Sequence, residues 1–201
     1  MTLPDRPDIP IAILPSDKEE KTFDIYSRLL AERMIFLRGE LTEETANLIV
    51  AQMLFLDAED PEKDITFLIN SSGGSAIAAM TVYDIINQIC PDVCTVCIGT
   101  AAAIGAFLLS CGAKDKRYAL PNARMILRQP SANAEGQTSD VEAAAREIIY
   151  LRDLVNRILA TNTGKSKEQI DRDSKRDFIM SAEEARDYGL IDRIVNHKLP
   201  S

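Results

Sequence analysis

The stretch Val93-Cys-Thr-Val-Cys-Ile-Gly99-Thr-Ala-Ala-Ala103-Ile-Gly-Ala-Phe-Leu-Leu-Ser-Cys-Gly-Ala113 decides the fold. It runs 21 residues without a charge, which meets the length a helix needs to cross a bilayer. Its internal order argues otherwise. The first third is β-branched and cysteine-rich, Gly99 interrupts it, and small residues fill the middle. That order predicts a buried strand over 93–98 running through a turn into a buried helix over 102–111.

Outward from this stretch, apolar-periodic segments alternate with short β-rich runs, the pattern of βα units stacked around a sheet, and so an α/β fold. Helices are expected over 24–33, 42–59, 75–88, 102–111, 139–161, 167–174 and 182–188. Strands are expected over 34–37, 65–69, 93–98, 117–119, 125–128 and 191–195. Ser139-x-x-Glu142 and Ser181-x-x-Glu184 each read as a capping box, and Gly164 and Gly189 sit where helices should stop. Residues 1–22 carry Pro4, Pro7, Pro10 and Pro15, which block a helix and predict an arm; 23–201 reads as one domain. Residues 131–138 are small and polar and read as a loop.

Composition narrows the function classes. A chain of 201 residues, 46% hydrophobic and 27% charged, buries one sizeable core. Its net charge of -8 and lack of Lys/Arg clusters argue against a nucleic-acid partner. The first residues show no basic segment leading into an apolar one, so neither an export signal nor a transit peptide is indicated, and a cytoplasmic location is expected, or the plastid stroma for a plastid-encoded chain. No membrane association is expected. Four cysteines without an export signal suggest reduced thiols. Cys94 and Cys97 match C-x-x-C, yet residues three apart on a strand point to opposite faces, so they read as apolar filler and no metal is expected.

The run Gly99 to Ala106, followed by Met125-Ile-Leu-Arg128-Gln-Pro130, resembles the core of the Clp protease proteolytic subunit family, ClpP, whose pattern there reads G-x-A-A-S-M-G-A and then M-I-H-Q-P. The resemblance extends through Phe23-Asp-Ile-Tyr-Ser-Arg-Leu-Leu30, Ala51-Gln-Met-Leu-Phe-Leu56, Ile69-Asn-Ser-Ser-Gly-Gly74, Leu120-Pro-Asn122 and Met180-Ser-Ala-Glu-Glu-Ala185. It implies a ClpP/crotonase-like spiral of βα units with a protruding handle helix, the handle covering about 131–165. It also implies heptameric rings paired into a barrel of fourteen subunits through those handles.

Acyl transfer by a serine peptidase needs a nucleophile, a base, a group that orients the base, and oxyanion donors. By the resemblance the nucleophile position is Ala103, whose methyl has no lone pair. The base position is Arg128, a guanidinium with a pKa above 12 that accepts no proton near neutrality. The third triad position is Asp177, which gains in Arg128 a permanent cation to pair with. The oxyanion positions are the backbone N–H groups of Gly74 and Ile104, and Ser72 stands where the family usually has Pro, which would loosen that turn. The only histidine, His197, reads as a solvated tail residue.

The resemblance further implies docking of an AAA+ unfoldase of the ClpC or ClpX type into aromatic pockets. Thr66, Leu68 and Gln88 stand at typically Tyr, Tyr and Phe positions, which reads either as weakened docking or as drift at exposed positions. The expected protein is a ClpR-type, non-catalytic subunit in mixed rings with active ClpP paralogs, acting on unfolded polypeptide in the chamber. It needs no cofactor, because ATP is used by the unfoldase. An active Clp serine endopeptidase and a crotonase-like acyl-CoA enzyme are the alternatives.

Overall fold

The computed structural model describes residues 11–14, 21–129 and 137–196. In chain order the elements are β1 (Ile11–Leu14), β2 (Lys21–Asp24), α1 (Ile25–Ala31), β3 (Met34–Leu41), α2 (Glu43–Glu59), β4 (Ile65–Gly74), α3 (Ala76–Gln88) and β5 (Val93–Ala102). They continue with α4 (Ile104–Ser110), β6 (Arg117–Ala119), β7 (Arg124–Leu127), α5 (Thr138–Thr163), α6 (Lys167–Asp173), β8 (Phe178–Met180), α7 (Ala182–Tyr188) and β9 (Arg193–Ile194).

Seven strands make the main sheet, and β3, β4, β5, β6 and β9 pair in that order, all parallel. Parallel neighbours need crossovers, and α2, α3 and α4 supply them in turn, so the chain advances as a coil of βα units. This is the α/β architecture expected from the alternation of patterns. The first five residues of β4 and of β5 are buried on both faces, which explains why both read as unbroken apolar runs.

The uncharged stretch behaves as its residue order predicts. It divides into β5 and α4, and all seven residues of α4 are buried, with Phe107 fully enclosed and its ring 5.7 Å from that of Tyr83. Among the described residues, no helix is long and apolar enough to cross a membrane.

Helix ends follow local chemistry, with one exception. Ser181 and Glu184 form the expected capping box, and Gly164 and Gly189 close α5 and α7 in the left-handed conformation. Ser139 does not cap α5. That helix begins at Thr138 with Gln137 as its cap, which places Ser139 inside the first turn, while Glu142 faces Arg146 one turn on at 3.4 Å. Two more expectations need correction. Asp24, expected to open a helix, belongs to β2 instead, because it pairs antiparallel with β1 in a segment read only as an arm. The strand expected over 191–195 is reduced to Arg193–Ile194, since Ile191 packs in the core and Asp192 turns back toward Arg117.

Arg117 ties the end of the sheet to the helices. Its Nε and Nη2 donate to the Asp192 carboxylate at 2.9 and 2.5 Å, and its Nη1 donates to the carbonyls of Asn162 and Gly189 at 2.8 and 3.1 Å. One guanidinium therefore joins β6 to the ends of α5 and α7. Burial by itself raises the Asp192 carboxyl, but hydrogen bonds from the Arg117 side chain and backbone N–H outweigh it and hold the group below its ordinary value.

Two outcomes are expected for the isolated subunit. Phe107→Ala should lower its unfolding free energy by about 3–5 kcal/mol in a denaturant titration, whereas Ile149→Ala, on an exposed face of α5, should change it by under about 0.5 kcal/mol. A carboxyl depressed in the folded state contributes stability above its unfolded pKa and loses it as pH falls. Stability should thus drop below about pH 4. Asp192→Asn should flatten that acid limb while costing on the order of 3 kcal/mol at neutral pH, because it strands a buried guanidinium. An acid limb of undiminished depth in the variant would show that the protons are taken up elsewhere.

Candidate functional site

The sheet brings the site residues to one end through register. Between Ile69 and Ser71 β4 advances two residues, whereas its neighbour β5 advances four between Cys97 and Ala101. The Asn70 side chain fills the gap, its Oδ1 accepting the Thr100 N–H at 3.1 Å. A Cβ on Gly99 would stand 2.8 Å from that oxygen, so glycine is needed there on packing grounds. The surplus lets β5 change neighbours, pairing β6 along Thr95–Cys97 and β7 along Thr100–Ala102. Nothing in the linear sequence singles out Asn70 for this task.

Ala103 follows directly, between β5 and α4. Its φ of 48° and ψ of -111° are rarely adopted by an L-residue and cost of order 1–3 kcal/mol. Surrounding bonds impose the turn. The Ala103 N–H donates to the Ile126 carbonyl of β7 at 2.8 Å, and its carbonyl accepts the Phe107 N–H at 3.0 Å as the first hydrogen bond of α4. A strained strand-to-helix turn that presents a side chain above a sheet is how α/β hydrolases expose a nucleophile. Here the side chain presented is a methyl group.

The end of β4 faces this turn. A Cβ placed on Gly73 would lie 3.4 Å from that of Ala103, and Gly73 and Gly74 have φ of 125° and 137°, values open in practice to glycine. At Gly74 a Cβ would meet the Leu41 carbonyl oxygen at 2.3 Å, so β3 sits too close for any side chain. Ser71 holds this turn: its buried Oγ accepts the Gly73 N–H at 3.2 Å and donates to the Gly73 carbonyl at 3.1 Å. Ser72, at the Pro position of the family pattern, is exposed. The neighbouring hydroxyl supplies the local restraint that proline would supply through its ring. Ile104 opens α4, so its N–H is among those without an intrahelical acceptor.

Arg128 and Asp177 meet through the pairing of β7 with β8. These strands are antiparallel with Leu127 opposite Phe178, which sets the residue after β7 against the residue before β8. Arg128 Nε and Nη2 each donate to a different Asp177 oxygen at 2.6 Å, a two-pronged match of planar groups. The hydrogen bonds from Arg128 hold the Asp177 carboxyl below its usual range, and those same bonds hold the guanidinium above its own. Both side chains are nearly half exposed, so water screens the pair and its contribution to stability is small. Strand β8 was not expected from the sequence, because three residues are too few to show an alternating pattern.

The arrangement holds no proton relay. Ala103 cannot attack a carbonyl, and Arg128 has no lone pair to accept a proton. His197 and residues 131–136, expected to form a loop, lie outside the described residues. Among the described residues no three His, Cys, Asp or Glu side chains gather as a metal site. Cys94 and Cys97 are buried in β5, and burial pushes the Cys97 thiol up to about 11 and, with the Asp64 carboxylate adding to it, the Cys94 thiol up to about 12. Such thiols are inert packing groups at neutral pH.

The positions associated with unfoldase docking divide by burial. Thr66 and Leu68 are 4% and 2% exposed within this subunit, which removes drift at exposed positions as their explanation, because both faces of that half of β4 are covered. Gln88, at the end of α3, is exposed.

Comparison with protein families adds one finding. The family model described as Clp protease matches residues 17–198, a span that contains every element from β2 to β9 and each position of the site. The chain belongs to the Clp protease family.

Proposed function

We propose that this chain is a non-catalytic, ClpR-type subunit of the ATP-dependent Clp protease core. It takes places in heptameric rings beside active ClpP paralogs and helps enclose the chamber in which unfolded polypeptide is cut. The observation that carries this reading is the Arg128–Asp177 pair: the carboxylate of the third triad position is committed to a guanidinium, and the turn that would present a nucleophile presents the Ala103 methyl. In a serine peptidase, loss of the nucleophile or the base costs roughly 10⁶ in kcat, and what remains from an oxyanion hole and binding is about 10³ to 10⁴ over water. A peptidase so reduced serves no degradative purpose. The Gly74 and Ile104 amides would keep their place because the turns themselves require it.

An architectural role also accounts for the surface. Leu48, Phe55 and Leu54 of α2 and Ile77 of α3 are between 46% and 59% exposed, and Ile149 and Tyr150 of α5 are similarly open. Large apolar side chains on three well-formed helices favour cover by neighbouring subunits. The chain itself would need no cofactor, with ATP hydrolysis left to an AAA+ unfoldase that docks weakly on this subunit, since Thr66 and Leu68 stand at the aromatic positions. Hydrophobic loops from such a partner would find fewer rings to stack against here.

Ala103→Ser alone should leave the chain without measurable hydrolysis of a fluorogenic peptide, because no base is restored; turnover by that variant would sink the assignment of Arg128. Turnover by the unaltered chain, blocked by a serine-directed reagent, would sink the proposal as a whole. Native mass spectrometry of the complex purified from its own cells should find this chain in rings with a second ClpP-like subunit, and rings of this chain alone would exclude the mixed assembly.

A further inference from the structure

The arginines of this molecule differ in how fully the protein uses them. Arg33 and Arg117 have every side-chain nitrogen donating to a carbonyl or carboxylate of the described residues. Arg128 does not. A guanidinium presents one edge formed by Nε with Nη2 and another formed by Nη1 with Nη2, and each matches a carboxylate. Asp177 fills the first, its oxygens each accepting at 2.6 Å. Nη1 meets no acceptor among the described residues and the side chain is 48% exposed, so the second edge is open to a ligand. Pairing of β7 with β8 fixes where Asp177 stands, and the two-pronged bond fixes the plane of the guanidinium, so that edge is set in advance of binding.

The surroundings leave room for a chain end. Arg128 follows closely on Ile126, whose carbonyl accepts the Ala103 N–H at 2.8 Å, so it sits at the end of the sheet where β5 turns into α4. That turn carries only the Ala103 methyl. Gly73 opposite has no side chain, and a Cβ there would lie 3.4 Å from that of Ala103. From the turn itself, a peptide terminus approaching Arg128 meets nothing larger than a methyl.

We infer that Arg128, through its open Nη1 and Nη2 edge, binds the C-terminal carboxylate of cut peptides. This rests on the non-catalytic reading: active subunits beside this one release a new carboxylate terminus at every cut, and this subunit cannot cut the chain it holds. The ligand is planar and anionic, and Asp177 already demonstrates the fit on the neighbouring edge of the same guanidinium. Binding is weak and short-ranged, because Arg128 and Asp177 together are neutral and water screens them. A weak hold suits a fragment that must later leave.

The test titrates the full chain into fluorine-labelled hexapeptides of one uncharged sequence and follows binding by fluorine NMR line width. One peptide ends in a free acid, one in an amide, and one in an amide with a central Glu. The free acid should bind at least about fivefold more tightly than either amide, the worth of one charge-assisted contact at an exposed site. Arg128→Gln should bring the free acid down to the level of the amide. Asp177→Asn, which leaves the guanidinium its whole charge, should tighten the free acid by about threefold or more. Both variants should keep the native melting temperature, since the pair is exposed. Equal binding of acid and amide, acid affinity retained in Arg128→Gln, or acid affinity unchanged in Asp177→Asn would overturn the inference. A Glu-containing amide as tight as the free acid would overturn the assignment to chain ends, and displacement of the peptide by an equal concentration of inorganic phosphate would overturn the assignment to carboxylates. Hydrolysis of the peptides by the unaltered chain would instead overturn the non-catalytic reading and leave the preference for acid over amide standing.

Discussion

Two surplus residues in β5 govern the geometry of the site. Strands β4 and β5 run side by side until Ile69 and Cys97, then fall out of step and resume at Ser71 and Ala101. Without that slip, β5 would continue alongside β6 and its end would face the wrong neighbour. With it, Thr100 to Ala102 pair with β7, the Ala103 N–H reaches the Ile126 carbonyl, and the strained turn into α4 is fixed opposite Gly73. The Asn70 side-chain oxygen accepts the Thr100 N–H that the slip takes out of the ladder with β4, at an end of the sheet that is open to solvent.

The same slip decides where the charges go. Because β7 runs parallel to β5, Arg128 leaves the sheet at the end where Ala103 does, and because β8 returns antiparallel to β7, Asp177 arrives beside it. With Arg128 at that place the carboxylate is held in a two-pronged ion pair. The pair is too exposed to hold the fold together, and the buried clamp of Arg117 on Asp192 and two helix-end carbonyls does that work instead. Stability and site chemistry rest on different arginines.

Large apolar side chains are left open on α2, α3 and α5. Helix α2 is apolar nearly all round, with Ala46, Ile49, Met53 and Leu56 turned into the core and Leu48, Leu54 and Phe55 turned out. Such a helix is ordinarily covered on every side.

The linear sequence determined the order of helices and strands, since periodicity, caps and glycine stops are local properties: Ser181 and Glu184 cap their helix, Gly164 and Gly189 end theirs, and the small residues after Cys97 divide an uncharged stretch into strand and helix. It also determined what the site cannot do, because an alanine and an arginine lack the needed lone pairs in any fold. Tertiary structure alone decided the hairpin of β1 with β2, the three-residue β8 and the bridging amide of Asn70. Each of these depends on a partner distant in the chain or on the register of a neighbouring strand, and register is set by how two buried faces fit together, a quantity that no single segment carries.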